Sequence, residues 1–212
     1  MTALKEAAAK KALDYILPNL ESETVIGIGT GSTSEIFIDL LAAHKHLFKG
    51  TVSSSERSTK KLKDLGMKVF DINEVNDIPY YVDGADECDP NHNLIKGGGG
   101  AHTKEKIVAT IAKEFLCIID SSKLVNKLGA FGVPIEVFHE ARSFASREIV
   151  KLGGTPELRV GVMTESNNPI VDIKNLDIDD PMIMETLINK IPGVVENGIF
   201  AIRKPNQVFI GE

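Results

Sequence analysis

The segment of residues 82–106 concentrates the side chains of this chain that could carry out chemistry. In chain order the main candidates are Asp83, Asp86, Glu87, Lys96, the glycines 97–100 and Glu105. Four consecutive glycines lose much backbone entropy on folding, so such a run is expected where something approaches the backbone closely or where φ must be positive. Carboxylates, a lysine and a loop of amide donors together suit proton transfer on a polar, anionic substrate.

The interconversion of an aldose and a ketose needs this combination of groups. It moves a proton between neighbouring carbons through an enediolate, and so requires a carboxylate base, donors at the developing oxyanion and a group for ring opening. Glu105 lies in the first turn of a predicted helix and is a candidate base; a first-turn acid can equally stabilise the helix dipole, by about 0.3–1 kcal/mol. Lys96 with the glycine amides is a candidate oxyanion site, and a solvated loop lysine is the alternative.

The acidic part of the segment allows more than one interpretation. Asp83 and Asp86 follow a predicted strand and could activate sugar hydroxyls or cap a turn. The acids of residues 83–89 could also bind a metal, but their spacing is not that of an EF-hand loop. His92 and His102 lack the i,i+4 spacing of a helical metal pair, and we expect both to be solvent-exposed loop residues. The spacing therefore matches neither of these two kinds of metal site.

A second polar loop, residues 27–33, joins the β-branched run 24–28 to a predicted helix at about 34–43. A strand, a glycine-rich turn and a helix in this order aim backbone N–H groups at an anion. The loop has Ser32 where a dinucleotide fingerprint needs glycine, and it lacks the lysine of a Walker loop. It predicts either a phosphate site or a tight turn with a Ser or Thr helix cap.

Two further hydroxyl-rich or basic stretches lie after predicted strands. Residues 53–58 could line a polar ligand or cap the helix that follows. Lys123, after the apolar run 115–119, lies where a cation for the far end of a substrate would be useful, or is an ordinary surface lysine.

The elements that must position these loops alternate between strand and helix. In the first part of the chain we predict helix 4–17, strand 24–28, helix 34–43, strand 51–53, a helix to about 65, strands 67–71 and 80–82, helix 103–113 and strand 115–119. The polar motifs follow the carboxyl ends of the strands. This is typical of an open parallel α/β sheet whose ligand binds outside those ends.

The pattern changes after Pro134. We predict strand 135–138, helix 141–152, strands 157–163 and 170–173, helix 181–191, and strands 194–202 and 208–210. The expected fold is therefore α/β: a Rossmann-like open parallel sheet domain over residues 1–126, and a small α+β domain of the split βαβ, ferredoxin-like type over residues 127–204. A C-terminal strand at about 205–212 is a candidate to return to the first sheet. The small domain is interpreted as a lid or an oligomerisation domain.

Composition restricts the possible partners and compartments. The formal net charge of −6 and the pI near 5.5 argue against a general nucleic-acid-binding protein, which needs a basic face. Cys88 and Cys117 have no metal-ligand spacing and form no disulfide framework, which fits a reducing cytosol. The longest apolar run is far too short to cross a membrane. We expect a cytoplasmic protein without a nucleic-acid or membrane partner.

Taken together and in this order, the motifs resemble those of the ribose-5-phosphate isomerase family, type A. They are GIGTGST at residues 27–33, the serine-rich stretch 53–58, DGADE at 83–87, KGGGGA at 96–101, Glu105-Lys106 and Ser122-Lys123. DGADE followed by KGGGGA is far more specific than either motif alone. The resemblance implies reversible conversion of D-ribose 5-phosphate to D-ribulose 5-phosphate in the non-oxidative pentose phosphate pathway, with no metal and no cofactor. It also implies a homodimer or homotetramer.

The resemblance further implies a role for each matching residue. Glu105 corresponds to the general base that moves the proton between C1 and C2, and Asp83 and Asp86 correspond to the ring-opening and hydroxyl-binding acids. Lys96 corresponds to the enediolate stabiliser. The implied substrate contacts are Lys5, Thr30, Gly31, Ser32, Thr33, Gly97, Gly98, Gly99 and Lys123.

One position departs from the family pattern. The residue before the catalytic glutamate is usually arginine in the family, and here it is Lys104. A point charge then replaces a planar fork of donors, and we expect activity to be retained.

Two other protein classes share the expected architecture. Sugar-phosphate-sensing domains of transcriptional regulators would keep the phosphate loop, but they could lose Glu105 or Lys96 and would normally carry a helix-turn-helix. A CoA transferase would need a glutamate nucleophile in its own motif and usually a longer or paired chain. The sequence favours the isomerase over both.

Overall fold

The computed structural model describes residues 2–212, and its contacts divide the chain into two compact units. The main unit comprises residues 2–84, Lys104–Lys123 and Pro205–Glu212, and the small unit comprises Ala85–Thr103 and Leu124–Lys204. The sequence-based boundaries assigned residues 85–103 to the first domain, whereas these residues group with the small unit. Among residues 2–212, no helix combines the length and apolar composition needed to cross a bilayer.

Most of the helices and strands follow the predicted order along the chain, and the two-residue strands β4 and β5 are additional to it. They are α1 (Thr2–Ile16), β1 (Val25–Ile28), α2 (Ser32–Ala42), β2 (Gly50–Ser53), α3 (Glu56–Asp64), β3 (Tyr80–Asp83), β4 (Glu87–Cys88), β5 (Leu94–Ile95), α4 (His102–Ile111), β6 (Glu114–Asp120), β7 (Val133–Val137), α5 (Arg142–Lys151), β8 (Thr155–Met163), β9 (Pro169–Lys174), α6 (Pro181–Asn189), β10 (Val194–Asn197), β11 (Ile199–Phe200) and β12 (Gln207–Gly211). Four short 3₁₀ helices lie at residues 17–19, 72–74, 121–123 and 139–141.

The main unit is built on a five-stranded parallel sheet with the order β12-β6-β3-β1-β2. The predicted open parallel sheet is therefore confirmed, and the C-terminal strand β12 does return to it by pairing with β6. Strand β2 pairs with one side of β1, and β3, which comes later in the chain, pairs with the other side. Ligands bind outside the carboxyl ends of the strands at such a switch point.

Helices cover both faces of this sheet because the strand residues alternate between them. Tyr80 and Val82 of β3 belong to a buried cluster with apolar residues of α1 and α2. Tyr81 points to the opposite face, where a side chain at Gly27 would come within about 3 Å of both Tyr81 and Val108 of α4. Glycine at position 27 is thus what lets α4 and Tyr81 lie close to β1.

The small unit contains a four-stranded antiparallel sheet with the order β10-β7-β9-β8. Its elements run strand, helix, strand, strand, helix, strand, so the order corresponds to 4-1-3-2, which is the predicted ferredoxin-like arrangement. A second sheet of very short strands has the order β11-β5-β4. Because β5 pairs with β11, residues 85–103 are tied to the small unit.

Two predicted strands differ from the observed ones. Residues 67–71 make only an isolated bridge between Val69 and Thr51, because the chain turns at once into the 3₁₀ helix that Asp71 caps through the Asn73 N–H. The predicted strand 194–202 divides at Gly198 into β10 and β11, which belong to different sheets. A side chain at position 198 would lie 2.3 Å from the Lys96 carbonyl oxygen, so glycine permits this crossing.

Candidate active site

The glycine-rich loop after β1 is fixed by close approach of its backbone to β3. The Gly29 N–H donates to the Val82 carbonyl at 2.9 Å, and a Cβ at position 29 would lie 1.9 Å from Asp83 Cγ. Gly31 has φ +116° and ends the loop as the N-cap of α2, with no side-chain cap. The Ser or Thr cap considered from the sequence is therefore absent here. The first turn of α2 is left with backbone donors facing the loop.

Asp83 is fully buried at the end of β3, and both of its carboxylate oxygens accept hydrogen bonds within the main unit. Its Oδ1 accepts from the Gly84 N–H at 2.7 Å, the Thr30 N–H at 3.0 Å and the Ser34 hydroxyl at 3.1 Å. Its Oδ2 accepts from the Tyr81 hydroxyl at 2.5 Å. A buried carboxylate is costly unless it is this well satisfied. Asp83 therefore holds the β1 loop against the end of β3.

Tyr81 connects Asp83 electrostatically with Glu105. Burial, followed by the negative charges of Asp83 and Glu105, raises the pKa of Tyr81 well above its usual value. The hydroxyl consequently stays protonated and donates to Asp83. Glu105 lies in the first turn of α4 and is 4% exposed, so it is not a solvated helix-capping acid. A buried carboxylate in this position fits proton transfer better than dipole stabilisation alone.

The serine-rich stretch after β2 caps a helix, as one interpretation of its sequence predicts, and also contacts the β1 loop. Ser55 caps α3 by accepting the Ser58 N–H at 3.2 Å, as a helix-cap interpretation predicts. The Ser58 hydroxyl also donates to the Gly29 carbonyl at 2.7 Å, and the hydroxyls of Ser54 and Thr30 lie 2.9 Å apart. The stretch therefore supports the β1 loop from its other side.

A group of basic and hydroxyl side chains lies at the carboxyl ends of β1 and β6. Lys5 Nζ donates to the Ser32 hydroxyl at 2.8 Å, which places this lysine at the first residue of α2. Burial would raise the pKa of Asp120, but hydrogen bonds from Ser122 and then the charges of Lys123 and Lys5 lower it overall. Both lysines thus act on one carboxylate at the end of β6. Two cations beside a helix N-terminus form a candidate phosphate site.

The small unit carries the remaining predicted residues. Lys96 follows β5 and is only 2% exposed, with its Nζ 5.6 Å from the centre of the Phe200 ring, so it is not a solvated loop lysine. The glycines after it form a turn in which the Gly100 N–H donates to the Gly97 carbonyl at 2.9 Å. Asp86 accepts the Gly98 N–H at 2.8 Å.

Two of the acids considered as metal ligands, Glu87 and Asp89, form hydrogen bonds within the small unit. Glu87 accepts the Gly129 N–H at 2.7 Å and the Phe131 N–H at 2.5 Å, and Asp89 accepts from the Asn93 backbone and side-chain amides. Within residues 2–212, no group of three or more His, Cys, Asp or Glu side chains is arranged to hold an ion.

The expectation of two exposed histidines was wrong for one of them. His92 is exposed, but His102 is fully buried at the start of α4, with its Nε2 3.3 Å from the Glu196 carbonyl oxygen. The ring packs against the loop, since a side chain at Gly97 would lie 2.8 Å from His102 Nδ1. Periodicity gave no sign of this because the helix starts only at His102 itself.

Lys104, the position that departs from the family pattern, lies on the same face of α4 as Ile107 and Val108. These side chains line a groove of about 450 Å³ in the main unit, together with residues of β2 and α3. The replacement of arginine by Lys104 has no explanation in the groove.

Tyr81, Ser34 and Asp120 were missed as site residues from the sequence. In the sequence, Tyr81 is one of the apolar residues of a predicted buried strand, and Ser34 is the first residue of a predicted helix. Asp120 stands two residues before the Ser122-Lys123 motif, so its position at the end of a buried strand was a usable signal.

A parallel α/β sheet with an anion-directed glycine loop, two lysines and buried carboxylates at its switch point defines an α/β enzyme that acts on a phosphorylated small molecule. Comparison with known proteins identifies the family. Residues 50–212 match the family model of ribose 5-phosphate isomerase A (phosphoriboisomerase A). The chain belongs to the ribose 5-phosphate isomerase A family.

Three solved structures illustrate the similarity. Ribose 5-phosphate isomerase A from Neisseria gonorrhoeae is 46% identical with a TM-score of 0.94, over 100% of this chain and 93% of that chain. The Methanocaldococcus jannaschii protein is 38% identical with a TM-score of 0.91, over 99% and 94%. A D-ribose-5-phosphate isomerase in complex with phospho-erythronic acid is 39% identical with a TM-score of 0.89, over 98% and 94%.

The lowered pKa of Asp120 leads to a testable pH dependence. A carboxylate with a depressed folded-state pKa stabilises the protein above the unfolded-state pKa of about 3.9 and loses that contribution as pH falls through the folded-state value. We expect Asp120→Asn to lower the melting temperature at pH 7 and the difference from wild type to narrow below about pH 4. Thermal unfolding across a pH series measures this. Asp14→Asn, at an exposed α1 carboxylate, is the control. A difference in melting temperature between Asp120→Asn and wild type that does not change with pH would contradict the assignment.

Proposed function

We propose that this chain interconverts D-ribose 5-phosphate and D-ribulose 5-phosphate through an enediolate, with Glu105 as the general base. Membership of the isomerase family supports the reaction, and one relative was solved with phospho-erythronic acid. The observation that carries the mechanism is the burial of two carboxylates in the main unit, Asp83 at the end of β3 and Glu105 in the first turn of α4, whose charges both act on Tyr81. Two buried carboxylates at a sheet switch point are suited to proton chemistry on a bound sugar.

The substrate phosphate is assigned to the loop and cations at the start of α2. Gly31, Ser32 and Thr33 supply backbone and hydroxyl donors there, Thr30 stands at the loop entry, and Lys5 reaches Ser32. Lys123 supplies a second positive charge. Anchoring the non-reacting phosphate provides binding energy that positions the reacting carbons.

The reaction then requires ring opening and two proton movements. Asp83 and Asp86 are assigned to ring opening and to the sugar hydroxyls. Glu105 takes the proton from C2 of the open aldose as the C2–H electrons form the C1–C2 double bond and charge develops on O1. It returns a proton to C1, while the O2 proton leaves and O1 is protonated, which gives the ketose.

Lys96 and the amides of Gly97, Gly98 and Gly99 are assigned to the oxygen on which this charge develops. Burial of Lys96 strengthens its interaction with an oxyanion, because screening by water is reduced. The Gly98 N–H already donates to Asp86, so it couples the oxyanion loop to one of the acids.

An oligomer is proposed from the exposed edge of the small unit. Strand β8 is the edge of the four-stranded sheet and exposes Leu158, Val162, Met163 and Val160, the last at 84%. A long apolar edge strand is an association site unless another element covers it. A homodimer or homotetramer would provide this cover, and sedimentation velocity that finds only monomer at assay concentrations would contradict it.

A cytoplasmic location is proposed from the cysteines. Cys88 and Cys117 are both buried and free, which suits a reducing compartment. Cell fractionation followed by immunoblotting tests this, and recovery outside the cytoplasmic fraction would contradict it.

The activity is tested directly with the purified chain. We expect ribulose 5-phosphate to form from ribose 5-phosphate at an undiminished rate in the presence of EDTA, because no step of the proposal uses a metal. A coupled or spectrophotometric assay with and without chelator measures this. Absence of product would overturn the reaction, and product formation that EDTA abolishes would overturn the metal-free mechanism alone.

The base assignment is tested by Glu105→Gln. This change removes the proton acceptor but keeps the shape of the side chain, so kcat should fall by about 10²–10⁴-fold while KM stays within about tenfold. Steady-state kinetics measure both constants. Glu6→Gln, at an exposed α1 carboxylate, should behave as wild type. A normal kcat in Glu105→Gln, or a loss of affinity that accounts for the whole effect, would contradict the assignment.

A further inference from the structure

Arg159 of β8 makes contacts with the glycine loop that its sequence context does not suggest. Its Nη1 donates to the Gly97 carbonyl at 3.1 Å and to the Gly98 carbonyl at 3.2 Å. Its Nε and Nη2 donate to the two carboxylate oxygens of Asp172 on β9, at 2.9 and 2.5 Å. The arginine side chain is 16% exposed, and the aspartate side chain is 18% exposed. One planar guanidinium thus joins a bidentate ion pair to two successive peptide groups of the loop.

The Gly97–Gly98 and Gly98–Gly99 peptides are the first and second peptide groups of the turn over residues 97–100. The turn is closed by the Gly100 N–H and the Gly97 carbonyl. Gly97 and Gly100 have φ of +104° and +77°, whereas the two central glycines do not have positive φ. The turn is therefore of the type I kind, because a type II turn needs positive φ at its third residue.

The contacts of Arg159 also set the direction of two N–H groups. In a trans peptide the carbonyl and the following N–H point in opposite directions. With the Gly97 and Gly98 carbonyls directed at Arg159, the Gly98 and Gly99 N–H groups point away from it. The Gly98 N–H meets Asp86 there. The Gly99 N–H points to the same side and has no acceptor among residues 2–212.

The loop sequence by itself does not select this arrangement. Glycine at the third turn position is the residue that a type II turn prefers, and reversing the Gly98–Gly99 peptide would convert one turn type into the other. The reversed peptide would turn the Gly99 N–H towards the side of Arg159 and move the Gly98 oxygen off Arg159. A donor that binds the Gly98 carbonyl therefore decides which way the Gly99 N–H points.

We propose that Arg159 is a positioning residue for the isomerisation: by binding the Gly97 and Gly98 carbonyls it holds the Gly99 N–H as a donor for the enediolate oxygen. The proposal rests on the proposed function, in which the loop amides stabilise that oxygen. Asp172 holds the guanidinium in the plane that reaches both carbonyls. A lysine carries its donors on one nitrogen and lacks the planar fork that spans Asp172 and both carbonyls.

Kinetics of Arg159→Ala test the proposal. We expect kcat to fall by about 10²-fold, because a misplaced donor costs about that much, and KM for ribose 5-phosphate to change little. Inhibition by phospho-erythronic acid should weaken in parallel with kcat, since its planar carboxylate resembles the enediolate oxygens. Arg159→Lys should recover only part of the rate. Arg147→Ala, at an exposed arginine of the same unit, should match wild type.

Chemical rescue separates positioning from loss of stability. Methylguanidinium added to Arg159→Ala should raise kcat, whereas methylammonium at the same ionic strength should not. A wild-type kcat in Arg159→Ala would overturn the proposal. A loss that matches the fraction of unfolded protein in thermal melts and that methylguanidinium does not reverse would also overturn it. Either result with an active wild type leaves the proposed function intact, while an inactive wild type overturns that function instead.

Discussion

The burial of Asp83 is the constraint on which the main unit depends. One carboxylate at the end of β3 accepts hydrogen bonds from the loop after β1, from α2 and from its own strand. Without these donors the buried charge would be strongly unfavourable, so the loop must close over it. Gly29 is required by the same contact, since any side chain there would overlap Asp83. The direction of α2, and with it the direction of the backbone donors in its first turn, follows from this closure.

The two glycine-rich loops use glycine for different physical reasons. Gly29 allows a backbone to lie against a buried carboxylate, and Gly31 supplies the positive φ that starts α2. The run after Lys96 instead forms a turn in which glycine allows the Gly98–Gly99 peptide two orientations. That choice is made by Arg159, from a strand more than fifty positions later in the chain.

Much of the fold follows from sequence pattern, because the long strands and helices carry clear periodicity and polar motifs mark the carboxyl ends of the strands. The ferredoxin-like order and the return of β12 were predicted from element order alone. The two-residue strands β4 and β5 were not, since so short a segment has no period. Burial of His102 and the contacts of Arg159 depend on pairing between distant residues, which no local pattern records. The roles of Glu105 and Lys96 came from the resemblance of several motifs read together, and their burial is consistent with those roles.

The central claim is that a carboxylate base moves a proton through an enediolate, and isomerisation in D₂O tests it most directly. A proton held on Glu105 can exchange with solvent, so over many turnovers deuterium should appear at C1 of ribulose 5-phosphate, detected by NMR or mass spectrometry. The same experiment with Glu105→Gln should give no incorporation. If wild type brings the reaction to equilibrium with no deuterium in the product, direct hydride transfer between the carbons is indicated and the account is contradicted.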